Sequence, residues 1–414
     1  MNTKIYIGML AHIKLIMPVF VLFFYVYPQF LVGIPLSTRV LLGLLGFVVF
    51  LINRFFLSSF FIVFKGAVPI VLVSISTALF NKTLDFCFVF YVVSMLLIYF
   101  AAYLFTLFFP KLTKSDNCLI RFLCLFVCVV AVQSLLAMLM YLFPALNEIL
   151  NTIFPMQASE QLEQLEGMRL MGLGIAFFGA GVVNGLALIT IVYLYLEGYL
   201  KNTLFWMGNY MFIFFIGMMM ARTTVIGFGI SMLFLFSWRP LHIATLKSKI
   251  KWMFLMIVVL IFSIILIFTI VDEQLLLFVF EFFYKYDTAG SFESASTNQL
   301  QEMYIYPSEL KTWLIGDGIY NTSDGHYYMS TDVGFLRLLF YGGIPMVTAY
   351  YYFVWSIIRQ TKKLGITTLQ WKFLLFAFFY IIVLSFKGLA DINFLFLLFF
   401  VHRYQQKRLF AYVK

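Results

Sequence analysis

The sequence predicts an all-α protein, a polytopic transmembrane helical bundle of about twelve spans. Three observations lead there. Hydrophobic residues make up 63% of the chain and charged residues 11%, whereas a soluble domain carries about 25% charged residues. Mean hydropathy is +0.99, and the apolar residues gather in continuous runs of about 18–25, the length of a helix that crosses hydrocarbon. The alternating segments of ~10 residues that mark a transmembrane barrel are missing. A bilayer admits little besides helices and closed barrels, because it holds no water to satisfy the backbone.

In chain order, the expected spans lie near 15–32, 38–53, 60–80, 86–109, 119–143, 172–196, 202–221, 223–238, 252–271, 333–356, 371–386 and 389–402. Residues 1–414 read as one integral membrane domain. The first apolar run reaches Pro28 without a small-residue cleavage site, so it is expected to stay as an anchor. The last two spans are short and joined by a tight turn, as in a full hairpin or a re-entrant pair. There is no internal repeat of the kind found in many transporters. Cys87, Cys118, Cys124 and Cys128 lie in or beside spans and form no CxxC pair. They read as packing residues, with neither a disulfide framework nor a metal site expected.

Basic residues set the orientation, because cytoplasmic segments carry an excess of Lys and Arg. With both termini in the cytoplasm, 20 of the 28 Lys and Arg residues fall inside and 16 of the 18 acids fall outside. The net charge of +10 is then a topology signal. A nucleic-acid partner would need those charges on one solvated face, and none is expected.

Two outer segments exceed a tight turn. Residues 144–170 open with an apolar stretch, Ala145 to Met156, expected to lie on the membrane surface. Glu160, Glu163 and Glu166 follow at helical spacing as an acidic solvated face. Residues 272–331 form the long extracytoplasmic loop before the tenth span. Leu275 to Tyr286 is aromatic and amphipathic and fits the interface. Ser291 to Gln301 is polar and reads as a surface loop or lid. Loops of this length are usually functional or disordered, and the aromatics here argue for function.

Candidate chemistry sits at the outer mouths of the spans. Arg169, Arg222 and Arg337 each stand where an unpaired charge costs ~3 kcal/mol unless it meets a cavity, a partner or headgroups. Snorkelling or an internal Arg–Asp pair is one reading. Phosphate binding by guanidinium, which stays charged and donates in bidentate fashion, is the other. Gly172, Gly174, Gly179, Gly181 and Gly185 either let helices pack closely or let backbone amides approach an anion at a broken helix. Asp332, His326, Asp324 and Asp317 are the proton-handling candidates, Asp332 being best placed at the mouth of a span within reach of Arg337. Lys387 and Asp391 are four residues apart and read as an ion pair closing a turn, or as groups lining the same cavity. Tyr320 and Tyr327, with Tyr304, Tyr306, Trp313 and Tyr328, fit either sugar stacking or an aromatic belt. No phosphate loop, HExxH or Gly-x-Ser-x-Gly motif is present.

Several of these features together resemble a known family. They are the long outer loop ending in Asp332-x-Gly334-x-x-Arg337, Gly342-Gly343-Ile344-Pro345 one helix deeper, the Ala221-Arg222-Thr223-Thr224 turn, and Arg169 before a Gly-rich span. This layout is similar to the O-antigen polymerase (Wzy) family, within the O-antigen ligase/polymerase superfamily. The resemblance implies a GT-C-like fold in the bacterial inner membrane. It also implies glycan extension by transfer from undecaprenyl diphosphate at the outer face, in lipopolysaccharide or capsule synthesis. Under it, Arg169, Arg222 and Arg337 hold the diphosphates and no metal or other cofactor is needed. Asp332 or His326 activates the acceptor hydroxyl, and Tyr320, Tyr327 and Asp324 face sugars. Undecaprenyl-diphosphate-linked glycans, membrane lipids and a chain-length regulator are the implied partners. O-antigen ligase, a lipid-linked sugar transporter and a non-enzymatic assembly factor are the alternatives.

Overall fold

A computed structural model describes residues 17–53, 57–112, 117–155, 169–175, 177–200, 202–238 and 295–412, with scattered positions between 247 and 281. The protein is mostly helical, at 77%. Among the described residues, five helices are long and apolar enough to cross a membrane: Phe60–Asn81, Cys87–Leu107, Cys118–Leu142, Phe177–Leu196 and Thr203–Met220. Shorter apolar helices accompany them.

The chain begins with α1 (Met17–Val26). This helix stops well before residue 32 because Pro28 disfavours helical backbone in the residue before it. A small antiparallel hairpin follows, β1 (Phe30–Leu31) and β2 (Ile34–Ser37), and leads into α2 (Thr38–Asn53). Arg39, in the first turn of α2, closes the open end of α1. Its Nε donates to the Tyr25 carbonyl at 2.6 Å and one terminal nitrogen to the Val26 carbonyl at 2.9 Å. These are carbonyls that a helix end leaves without an intrahelical donor. The other terminal nitrogen pairs with Asp391 at 2.8 Å, so the start of the described chain is tied to the turn that leads into its last helix.

α3 (Leu57–Asn81), α4 (Cys87–Leu112) and α5 (Cys118–Leu142) come next. α6 (Pro144–Ile153) has proline at its start and buries no residue, in keeping with a helix lying on a surface. α7 (Phe177–Leu196), α8 (Thr203–Met220) and α9 (Thr224–Ser237) follow. The expected span at 172–196 starts five residues late. Residues 170–175 instead run as irregular, partly buried backbone, with Gly174 at φ +81° and the Leu173 carbonyl taken by Gln133 Nε2 at 2.8 Å. Non-helical backbone at such a place is tolerated only where protein satisfies it.

The glycines of this run serve close packing. A Cβ on Gly227 would overlap Gly185, and one on Gly181 would overlap the Thr223 side chain. Buried phenols add hydrogen bonds between helices: Tyr380 to the Gly181 carbonyl at 2.9 Å, Tyr210 with Ser231 at 2.5 Å and Tyr341 with Ser74 at 2.6 Å. Between membrane helices, small residues and such bonds replace the hydrophobic drive that lipid removes.

The polar stretch expected as a surface loop contains a short helix, α10 (Ala295–Glu302), whose Leu300 packs near Leu336 and Phe340. α11 (Leu310–Leu314), α12 (Gly334–Lys362), α13 (Thr368–Leu384) and α14 (Asn393–Tyr412) complete the described chain. α12 is broken at Gly342 and Gly343, the latter at φ 65°. Pro345 has no N–H to give the Tyr341 carbonyl. The carbonyls freed by the break accept other amides: Phe340 takes Asp317 N–H at 2.7 Å and Tyr341 takes Gly318 N–H at 2.9 Å. A side chain on Gly343 would collide with the backbone of Trp313 to Ile315, so the loop lies directly on the break.

The acidic face at Glu160, Glu163 and Glu166 lies outside the described residues. So does the 252–271 span, apart from exposed helical positions at Met253, Phe254, Ile257, Val258 and Ile261.

Gly227→Val is expected to destabilise the detergent-purified protein by ~1–3 kcal/mol, the range for forcing volume into a packed contact. Gly229, where a Cβ would meet nothing within 4 Å, is the control. Gly229→Ala should leave the thermal midpoint unchanged or raise it slightly.

Candidate functional site

Four backbone contacts assemble the site. Leu170 N–H donates to the Met219 carbonyl at 3.1 Å, which lays the 169–175 segment beside the end of α8. That places Arg169 near Arg222, whose turn is closed by Thr224 N–H to the Ala221 carbonyl at 3.0 Å. The Arg169 guanidinium lies over the Phe177 ring, 5.5 Å from its centre. Phe178, next in sequence, touches Gly388, and Gly388 in turn sits so close to Gly334 that a Cβ there would lie 2.6 Å from its backbone. Phe335 N–H donates to the Ser385 carbonyl at 3.1 Å. Asp332 and Lys387 are thereby carried together by the start of α12 and the turn after α13.

The electrostatics agree with this arrangement. Burial, and then the repulsion of Arg222, lowers the pKa of Arg169, with Glu281 opposing. Burial and the charges of Arg169 and Arg222 lower that of Lys387, with Asp332 opposing. Arg222 is ion-paired to Glu281, and both side chains are mostly buried, at 12% and 19% exposed. Three cations therefore share one rim of the bundle. Each charge raises the local potential felt by the others, more so in partly desolvated surroundings than in water.

Arg337 occupies a different station. Its guanidinium is packed between the Tyr320 and Tyr327 rings, 3.9 Å from each ring centre. One terminal nitrogen reaches Asp332 at 3.5 Å and the other reaches Asn321 Oδ1 at 3.2 Å. The side chain is only 9% exposed. Cation–π contacts on two faces fix its plane. Of the three arginines, then, Arg169 and Arg222 stand together, and Arg337 is reached through Lys387 and Asp332. Partial burial raises the pKa of the Asp332 carboxyl, against the pull of Arg337 and Lys387.

Of the two readings the sequence allows for Lys387 and Asp391, an ion pair closing a turn or groups lining one cavity, the ion pair is not the one formed: Asp391 pairs with Arg39, and Lys387 lies within electrostatic reach of Arg169, Arg222 and Asp332. Its signal in the sequence was a lysine in a short turn on the same side as the other candidates, next to a glycine that allows close approach.

The remaining candidates lie in the loop. Tyr320 is set by its backbone N–H, which donates to Asp85 Oδ2 at 2.7 Å, and its ring meets Phe88 edge-on at 5.3 Å. Burial pushes its phenol up to about 12. Asn321 and Tyr327 pair across a short antiparallel bridge, and Asp324 and His326 sit at the exposed tip beyond it. The His326 carbonyl accepts Thr322 N–H at 2.8 Å, and the side chains that act on the Asp332 carboxyl are Arg337 and Lys387. Asp317 is held by Thr312 Oγ1 at 2.8 Å and by the Tyr328 hydroxyl at 3.3 Å. Among the described residues no group of three or more His, Cys, Asp or Glu side chains is placed to hold a metal.

Comparison of the chain with protein-family models, with curated proteins and with solved structures gave no match.

The Asp332 carboxyl is expected to titrate above the range of a free aspartate. Because Arg337 and Lys387 both lower its pKa, Lys387→Gln and Arg337→Gln should each move its midpoint higher still. Infrared difference titration of each variant against its Asp332→Asn double mutant reads that midpoint. A downward move would reverse the assignment of charges around it.

Proposed function

We propose that the protein polymerises lipid-linked oligosaccharide units, as a membrane glycosyltransferase of the O-antigen polymerase type, with about twelve spans and a GT-C-like layout. In this reading both termini are cytoplasmic, the membrane is the bacterial inner membrane, and the rim described above faces outward. The observation that carries the proposal is the gathering of Arg169, Arg222 and Lys387 beside a carboxylate whose pKa is raised. An enzyme that releases a lipid diphosphate needs positive charge at headgroup depth and a proton acceptor next to it.

The chemistry follows from the arrangement. A hydroxyl of the acceptor repeat unit attacks the anomeric carbon of the donor glycan, and the bond from that carbon to the diphosphate oxygen breaks. Undecaprenyl diphosphate leaves with the electron pair, where Arg169, Arg222 and Lys387 stabilise the growing charge. Such preorganised charge is usually the largest catalytic contribution. Asp332 takes the hydroxyl proton, and its raised pKa makes it a stronger base than a free aspartate. Arg337 positions Asp332 and the two tyrosines and does not itself grip phosphate. Tyr320 and Tyr327 each already give a face to Arg337, so a sugar would meet their edges or remaining faces.

Arg222→Ala and Arg169→Ala are each expected to leave the protein inserted while lowering polymerisation ~10²-fold or more, the usual loss on removing one charge-stabilising donor. The readout is the chain-length ladder of the surface polysaccharide in a deletion strain carrying the variant. Normal ladders from both variants would end the proposal. Long polymer left on its lipid carrier in the deletion strain would instead favour a ligase.

A further inference from the structure

Arg222 does not stand open at the rim, because the Glu281 carboxylate holds it. Glu281 also acts on Arg169, raising the pKa that Arg222 and burial lower. It thus acts on both arginines assigned to the diphosphate, as an anionic ligand would. Lys387 is drawn to Asp332 instead. A carboxylate carries one negative charge, while the rim brings three cations, so Glu281 neutralises the site only in part.

That difference bears on selectivity. A cationic site at headgroup depth is surrounded by phospholipids, whose phosphodiesters carry one negative charge each. A diphosphate diester carries two and spans more than one cation at once. Exchange of a mostly buried ion-pair partner is unfavourable unless the newcomer compensates the carboxylate's desolvated charge and its hydrogen bond. A single phosphodiester offers Arg222 what Glu281 already offers. A diphosphate adds contacts to Arg169 and Lys387.

We infer that Glu281 is a specificity-determining residue of this site, a built-in carboxylate that keeps single-phosphate headgroups off Arg222 and yields only to a diphosphate. The inference rests on the diphosphate reading of the previous subsection. It requires Glu281 to compete with the ligand. A carboxylate that merely held Arg222 in place would have the opposite effect when removed, and the sign of the change separates the two roles.

The test uses the full chain in detergent, with inorganic pyrophosphate as the probe and phosphatidylglycerol in the micelle as the competitor. Wild type should bind pyrophosphate and keep that affinity when phosphatidylglycerol is added. Glu281→Gln should bind pyrophosphate about tenfold more tightly in neutral micelles and lose much of that gain to phosphatidylglycerol. Glu281→Asp keeps the carboxylate and should behave as wild type, which guards against a folding defect. Equal or weaker pyrophosphate binding by Glu281→Gln, with Glu281→Asp intact, overturns the inference and leaves the diphosphate site standing. Absence of pyrophosphate binding by wild type and Glu281→Gln alike overturns the site itself, and this inference with it.

Discussion

The break in α12 is the constraint on which the functional end of the molecule depends. Gly343 adopts a backbone conformation that other residues rarely take, and Pro345 leaves the Tyr341 carbonyl without its helical donor. Unmatched backbone groups inside a protein are costly, so something must fill them. Asp317 and Gly318 do so, and from that anchor the loop is held at further points. Thr77 Oγ1 donates to the Ile315 carbonyl at 3.1 Å, Asn81 Nδ2 to the Gly316 carbonyl at 3.1 Å, and Tyr320 N–H to Asp85 Oδ2 at 2.7 Å. A helix defect is thus turned into a seat for a loop, and Arg337 stands one to two turns before it, facing the tyrosines that the loop delivers.

The same end of the bundle gathers Arg169, Arg222 and Lys387. Placing arginines and a lysine together in partly desolvated surroundings raises the energy of each, and the lowered pKa values of Arg169 and Lys387 express that. By linkage, whatever anion binds among them relieves the repulsion and stabilises the folded protein. Such a region favours negative charge among its side chains. Glu281 supplies part of that relief through its ion pair with Arg222 and its effect on Arg169.

Much of the helical layout was legible because the apolar runs are long and their interruptions are polar or contain proline. The runs at 38–53, 86–109, 119–143 and 202–221 match helices to within a few residues. The misplacements have local causes. The 172–196 run is apolar throughout, so composition alone could not show that Leu170 and Leu173 are buried in irregular backbone stabilised by Gln133. The partnership of Arg39 with Asp391 crosses most of the chain, and no local pattern reports a contact at that separation. The Arg337–Asp332 pair was legible because it lies within about one helical turn. The choice of Lys387 over Asp391 for the site was not, because it depends on how closely Gly334 and Gly388 let two segments approach.

The tie between Arg39 and Asp391 bears on how the protein is made. A ribosome delivers the Arg39 side chain long before its carboxylate partner exists, so during synthesis this guanidinium has only the carbonyls of Tyr25 and Val26 to rely on. The end of α1 therefore acts as an interim holder, its two carbonyls bonded to the guanidinium until the turn before α14 arrives. A chain cut short before residue 391 would leave Arg39 with the Tyr25 and Val26 carbonyls and without its counter-ion.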